Sequence, residues 1–111
     1  MMRGRRRRGK YGRQSNPVKI NYQIETKALN PEPDNGLEPI YLESAEIEVM
    51  RLLDLEDLNQ QEAGDRMGVS RGTIWRLVQR GRRKIMKAFV EGRRIEIRDF
   101  FNQLYQFKPT N

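Results

Sequence analysis

Residues Asn59–Lys87 read NQQEAGDRMGVSRGTIWRLVQRGRRKIMK, and this stretch decides the fold. Asn59 can cap a helix, and Glu62 stands three residues on, the spacing of a capping box. Gly68 falls where a left-handed residue would end that helix, and Ser70 can cap the next. With Val69 alone between stop and start, the chain has room only for a sharp corner. The expectation is a helix-turn-helix.

The second helix, about residues 70–88, separates into two faces at about 100° per residue. Ile74, Leu77, Val78, Gly81, Ile85 and Ala88 share one arc, as a core-facing stripe should. Gly72, Thr73, Arg76, Gln79, Arg80, Arg83 and Lys87 share the opposite one. Residues 71–87 contain seven basic side chains and no acidic one. Arg76, Arg80, Arg83 and Lys87 repel one another along the helix, whereas a polyanion laid along them would neutralise the stripe. A purely solvated face normally mixes both signs, so the pattern points to nucleic acid.

The 111 residues suit one small domain with tails, and 36 % apolar against 33 % charged residues allow only a modest core. Net charge is +7 and the pI about 10.1, the balance expected of a nucleic-acid binder. No apolar run is long enough to span a membrane, and the basic start is not followed by the apolar stretch of a signal peptide. A cytoplasmic, nucleoid-associated protein is expected. The sequence has no His and no Cys, and no Gly-rich phosphate loop follows a strand. Its carboxylates lie on an acidic helix and loop without an apolar pocket to tune a pair for acid–base work. No enzyme, metal or cofactor is expected.

Residues 1–16 form the first segment, expected as a flexible basic arm. Seven of its first thirteen residues are basic, including Arg3, Arg5, Arg6, Arg7 and Arg8. Mutual repulsion and glycine entropy oppose folding there, and such an arm can follow a DNA backbone or enter a minor groove. Residues 17–43 follow as a strand and an acidic, Pro-rich loop. Val18, Ile20, Tyr22 and Ile24 alternate with polar residues, predicting a half-buried strand. Ile40 and Leu42 predict a second strand, and Ile95 and Ile97 a third; within one chain these would form a small ribbon, between two chains a dimer seam.

Residues 44–92 make the helix-turn-helix domain. Ser44 is the expected cap of its first helix, with Glu46 and Glu48 near the positive end. Val49, Met50, Leu52 and Leu53 predict its buried face, extended by Ile47, Leu55 and Leu58. Residues 32–57 carry nine acids against one Arg, readable as a partner surface or as a back that steers the basic face toward DNA. Ala63 and Gly64 supply small residues at the helix crossing. Gly64→Ala is expected to stabilise the domain by about 0.5–1 kcal/mol. Residues 93–111 close the chain as a short strand and an aromatic tail. Phe100, Phe101, Leu104, Tyr105 and Phe107 fall in eight positions there and predict packing on the core or on a second subunit.

The block from Met50 to Lys87 resembles the helix-turn-helix of region four of bacterial sigma factors. From Arg3 to Asp99 the chain also resembles a prokaryotic family, domain of unknown function 134, whose members are predicted to bind DNA. The resemblance rests on the Arg-rich start, the core DLEDLNQQEAGDRMGVSRGT, the GRRK that follows and the tail EGRRIEIRD. Gly64 stands where an alanine is usual, and this chain lacks the cysteines many members carry near the N-terminus. The resemblance implies a mainly α, three-helix domain of sigma-region-four or winged-helix size, with short flanking strands.

It also implies roles. Gln60 and Gln61, with the amides opening the second helix, would clamp a phosphate. Ser70, Arg71, Thr73, Trp75, Arg76 and Gln79 would face base edges or the adjoining backbone, Arg76 or Arg71 pairing with guanine and Gln79 with adenine. Arg80, Arg83 and Lys87 would hold phosphates. Trp75 points between the two faces, toward a thymine methyl or toward a neighbouring segment. The expected function is sequence-specific binding of double-stranded DNA by a transcriptional regulator, a reading that formation of a homodimer on paired half-sites would favour. Two other readings stay open: an adaptor docking on RNA polymerase through the acidic helix, and an RNA- or ribosome-associated protein that relies on its arm.

Overall fold

The computed structural model describes residues 18–98; the arm and the aromatic tail lie outside the described residues, as do the expectations attached to them. Three helical segments carry the domain. The first, α1 (Ser44–Met50), runs on through a wider π-helical turn, Arg51–Leu55, in which Glu56 N–H reaches back to the Arg51 carbonyl at 3.1 Å. The second is α2 (Gln60–Met67), and the third, α3 (Arg71–Glu91), extends for 21 residues, about 31 Å.

The corner between α2 and α3 follows the local chemistry of the sequence. Asn59 accepts from Glu62 N–H at 2.8 Å, and Glu62 accepts from Asn59 N–H at 2.9 Å, closing the capping box. Gly68 ends α2 with φ +73°, a left-handed conformation that a Cβ disfavours. Ser70 caps α3 by accepting from Thr73 N–H at 3.1 Å. At the far end Gly92, with φ +64°, stops α3.

One expected cap is displaced. Glu43, rather than Ser44, is the N-cap of α1, and Glu46 accepts from its N–H at 3.0 Å. The carboxylate at N3 completes the box from one residue earlier, leaving Ser44 as the first helical residue.

A three-stranded sheet flanks the helices: β1 (Ala28–Leu29), β2 (Ile40–Glu43) and β3 (Ile95–Arg98), in the order β1-β3-β2. The β3 strand runs antiparallel to β1 and parallel to β2, with Ile40 opposite Ile95 and Glu43 opposite Arg98. The ribbon therefore forms within one chain. The strand expected over Val18–Ile24 is not formed. Val18, Ile20 and Ile24 are partly buried as the alternation required, whereas Tyr22, expected on the same side, is 55 % exposed, and the backbone bonds helices instead of a strand. Lys19 N–H donates to the Met67 carbonyl at 2.9 Å, and Asn21 N–H to Glu48 Oε2 at 2.9 Å. The alternation reports a half-buried extended chain, which a helical surface satisfies as well as a sheet does.

Two apolar clusters hold these layers. Val49, Leu52, Ala63, Met67, Ile74, Leu77 and Val78 interlock the three helices, and Ile40, Leu42, Ala88 and Ile95 join the sheet to the end of α3. Met50 packs against both. Leu55, expected on the buried face, is instead 78 % exposed, because the π turn rotates it off the stripe that a regular helix would continue. Glu46 and Glu48, expected on an acidic surface, are both fully buried, each compensated by basic or amide partners as buried charges require.

Candidate nucleic-acid interface

On α3, Ile74, Leu77, Val78, Gly81 and Ala88 are buried and Ile85 is half-buried, while Arg71, Gly72, Arg76, Gln79, Arg80, Arg83 and Lys87 are exposed. The helix turns its basic stripe outward because its apolar stripe is taken up by both other helices and the sheet. The same burial positions the stripe rigidly.

The N-terminal turn is ordered by a short chain of polar contacts. Ser70 Oγ lies 3.0 Å from Thr73 Oγ1, and Arg76 Nη2 donates to the same Thr73 oxygen at 3.3 Å. Thr73 is half-buried, so its hydroxyl supports Arg76 from below while the Arg76 side chain stays exposed. Asn59, Gln60, Gln61 and Arg71 line one shallow hollow between the starts of α2 and α3. That brings together both glutamines and the first arginine of the stripe. Gln61 Nε2 also donates to Asp65 at 3.1 Å.

Trp75 is 51 % exposed, on the edge between the apolar and basic faces. Further along α3, Met86, Phe89 and Val90 are also exposed, so an apolar strip borders the basic one toward the C-terminal end.

Among the described residues, no ion-pair partner stands against Arg71, Arg76, Arg83 or Lys87. Other α3 cations are engaged: Arg80 Nε lies 3.1 Å from Glu46, Lys84 Nζ 2.8 Å from the same carboxylate, and Arg82 Nη2 2.7 Å from Asp54. Lys84 and Glu46 were not legible as site-bordering residues, because which α1 residue meets α3 depends on the crossing of two helices distant in sequence.

Behind the corner lies a second buried carboxylate, Glu48. It accepts from Arg51 Nε at 3.1 Å, from Arg51 Nη2 at 3.0 Å and from Asn21. Burial pushes its pKa up, but the Arg51 and Asn21 bonds together outweigh burial and hold it below the ordinary 4.5. Arg51 also lies over the Tyr22 ring at 5.1 Å. This cluster ties the chain that enters the domain to the back of α1. With the Lys19–Met67 bond, it places that entry beside the turn preceding α3. Among the described residues no group of His, Cys, Asp or Glu is arranged to hold a metal ion, and no helix is long and apolar enough to cross a membrane.

Together these features define a small, mainly helical protein whose helix-turn-helix presents a rigid basic helix. Residues 1–100 match the family model of DUF134, a protein of unknown function, and the chain belongs to that family. It is similar to a UPF0251 protein of Archaeoglobus fulgidus, 42 % identical over 92 residues that cover 82 % of this chain and 88 % of the relative. A UPF0251 protein of Thermococcus kodakarensis is 42 % identical over 80 residues, 72 % of this chain and 66 % of its own. One from Pyrococcus furiosus is 52 % identical over 59 residues, 53 % and 55 % of the two chains. No solved structure matches the chain.

Proposed function

We propose that this protein binds double-stranded DNA sequence-specifically, with α3 in the major groove, and acts as a transcriptional regulator. The observation that carries the reading is the outward stripe Arg76, Arg83 and Lys87 on a helix whose opposite face is locked into the core. A helix of this diameter fits a major groove, and phosphates supply the countercharge the stripe lacks. Ser70, Arg71, Thr73, Trp75, Arg76 and Gln79 occupy the turn that would enter first, with Gln60 and Gln61 beside it for a phosphate. The basic arm adds electrostatic affinity. Pairing of two copies would multiply the specificity of one short recognition helix, and the exposed Met86, Phe89 and Val90 supply apolar surface for it.

The polymerase-adaptor reading has less surface than the acidic composition suggests, because Glu46 and Glu48 face inward. The deciding experiment is selection from a random duplex library at about 150 mM salt, where phosphate attraction alone is weakened. A recovered motif is the expected result. Binding without any motif would refute sequence specificity and leave a generic polyanion binder.

A further inference from the structure

Glu46 is one of two fully buried carboxylates among the described residues, and it is the one whose partners lie on α3. Its side chain is 0 % exposed, and it accepts from Arg80 Nε at 3.1 Å, from Lys84 Nζ at 2.8 and 3.0 Å, and from the Glu43 amide at 3.0 Å. It reaches them because α1 crosses α3 closely at Gly81, where a Cβ would come 3.4 Å from Glu46 Cβ. A charge buried this way is costly when its partners leave. Arg80 is 59 % exposed and lies on the basic stripe, so by sequence pattern it belongs with Arg76, Arg83 and Lys87. By contact it belongs with Glu46.

We infer that Glu46 is a positioning residue that withdraws Arg80 and Lys84 from polyanion binding and so sets the edge of the contact face on α3. This rests on the nucleic-acid reading above and deepens it. The carboxylate cancels one of the two charges, but its bonds hold both cations toward α1, away from positions where they would neutralise phosphates and release counterions condensed on the DNA. Each therefore adds little to the salt dependence of binding. The phosphate-binding set on this part of the helix is then Arg76, Arg83 and Lys87. The clamp also holds the helix against α1 at the level where the groove wall would pass, fixing how deeply the N-terminal turn enters.

The test uses the full chain and a fluorescent 20-base-pair duplex of arbitrary sequence, with affinity measured from about 50 to 200 mM KCl. Arg83→Gln is expected to flatten the slope of log affinity against log salt by about 0.9, the value for one phosphate contact. Arg80→Gln and Lys84→Gln are expected to leave the slope within about 0.3 of wild type, a third of one contact. Glu46→Gln frees two cations and is expected to steepen the slope by about 0.9–1.8, tightening binding roughly tenfold or more at the lowest salt.

A flattening by Arg80→Gln equal to that of Arg83→Gln overturns the inference, as does an unchanged slope in a Glu46→Gln protein with a native circular dichroism spectrum. Should Glu46→Gln fail to fold, the Arg80→Gln and Lys84→Gln slopes decide alone. Absence of any duplex binding by the wild type would refute the nucleic-acid reading itself and this inference with it. Binding with Arg80 counted in the slope would refute only the inference.

Discussion

Gly64→Ala measures how tightly the helix-turn-helix corner is closed. Composition alone favours the change, since alanine in a helix interior gains about 0.5–1 kcal/mol over glycine. The tertiary contact opposes it. A methyl group on Gly64 would fall 2.7 Å from the Val69 carbonyl oxygen, with Ile74 Cγ1 at 3.6 Å and the Ser70 carbonyl carbon at 3.7 Å. Ordinary contact begins near 3.4 Å, so the Val69 carbonyl would have to retreat by about 0.7 Å. It is main chain, and Val69 N–H is itself bonded to the Gly64 carbonyl at 3.0 Å, so the retreat distorts the turn that aims α3.

Overpacking of this kind costs about 1–3 kcal/mol, which exceeds the helix gain. The expected net loss is about 1 kcal/mol, or some 4–8 °C in melting temperature for a domain of this size. Thermal unfolding followed by circular dichroism checks it, with Gly81→Ala as a companion. There the close neighbours are Met50 Cε at 2.8 Å and Sδ at 3.1 Å, ends of a flexible side chain that can swing away, so a smaller loss is expected. A Gly64→Ala protein that melts at or above wild type would refute the reasoning and show that the corner widens freely.

Ser70→Ala removes the cap of α3 and should lower stability by about 0.5–2 kcal/mol in denaturant titration; an unchanged midpoint would mean that water caps the helix equally well. Glu48 provides a pH signature. Its folded pKa is depressed, so its contribution is fully present above about pH 4.5 and is lost as pH falls through the lower folded value. Glu48→Gln should therefore melt below wild type at pH 7, with the gap closing as pH falls below about 4.5; a gap constant with pH would contradict the assignment. On the recovered DNA site, Arg76→Ala should relax base preference, costing about 1–3 kcal/mol of discrimination. Arg83→Ala should weaken all sequences alike and reduce the salt slope by about one. Identical behaviour of the two variants would remove the division between reading and holding.

Much of the domain was legible locally. Asn59 with Glu62, Gly68 and Ser70 act within four residues of themselves, so their consequences could be read without knowing any distant neighbour. The two faces of α3 follow from helical periodicity alone. Legibility failed where a residue's role depends on what lies across from it. Val18–Ile24 has the period of a strand, but the partner that took up its backbone was the α1–α2 surface. Glu46 and Glu48 have the composition of a solvated face, yet the crossing of α1 against α3 and against the entering chain buried both.

The sequence by itself determined the helix-turn-helix and the outward basic stripe, because caps, glycine conformations and apolar spacing are short-range physics. Only the tertiary structure decided that Gly64 abuts a carbonyl, that Leu55 is exposed, and that Arg80 and Lys84 are tied to Glu46. Those outcomes depend on the distance and angle between helices that are remote in sequence. Close packing sets both, and no local pattern encodes them.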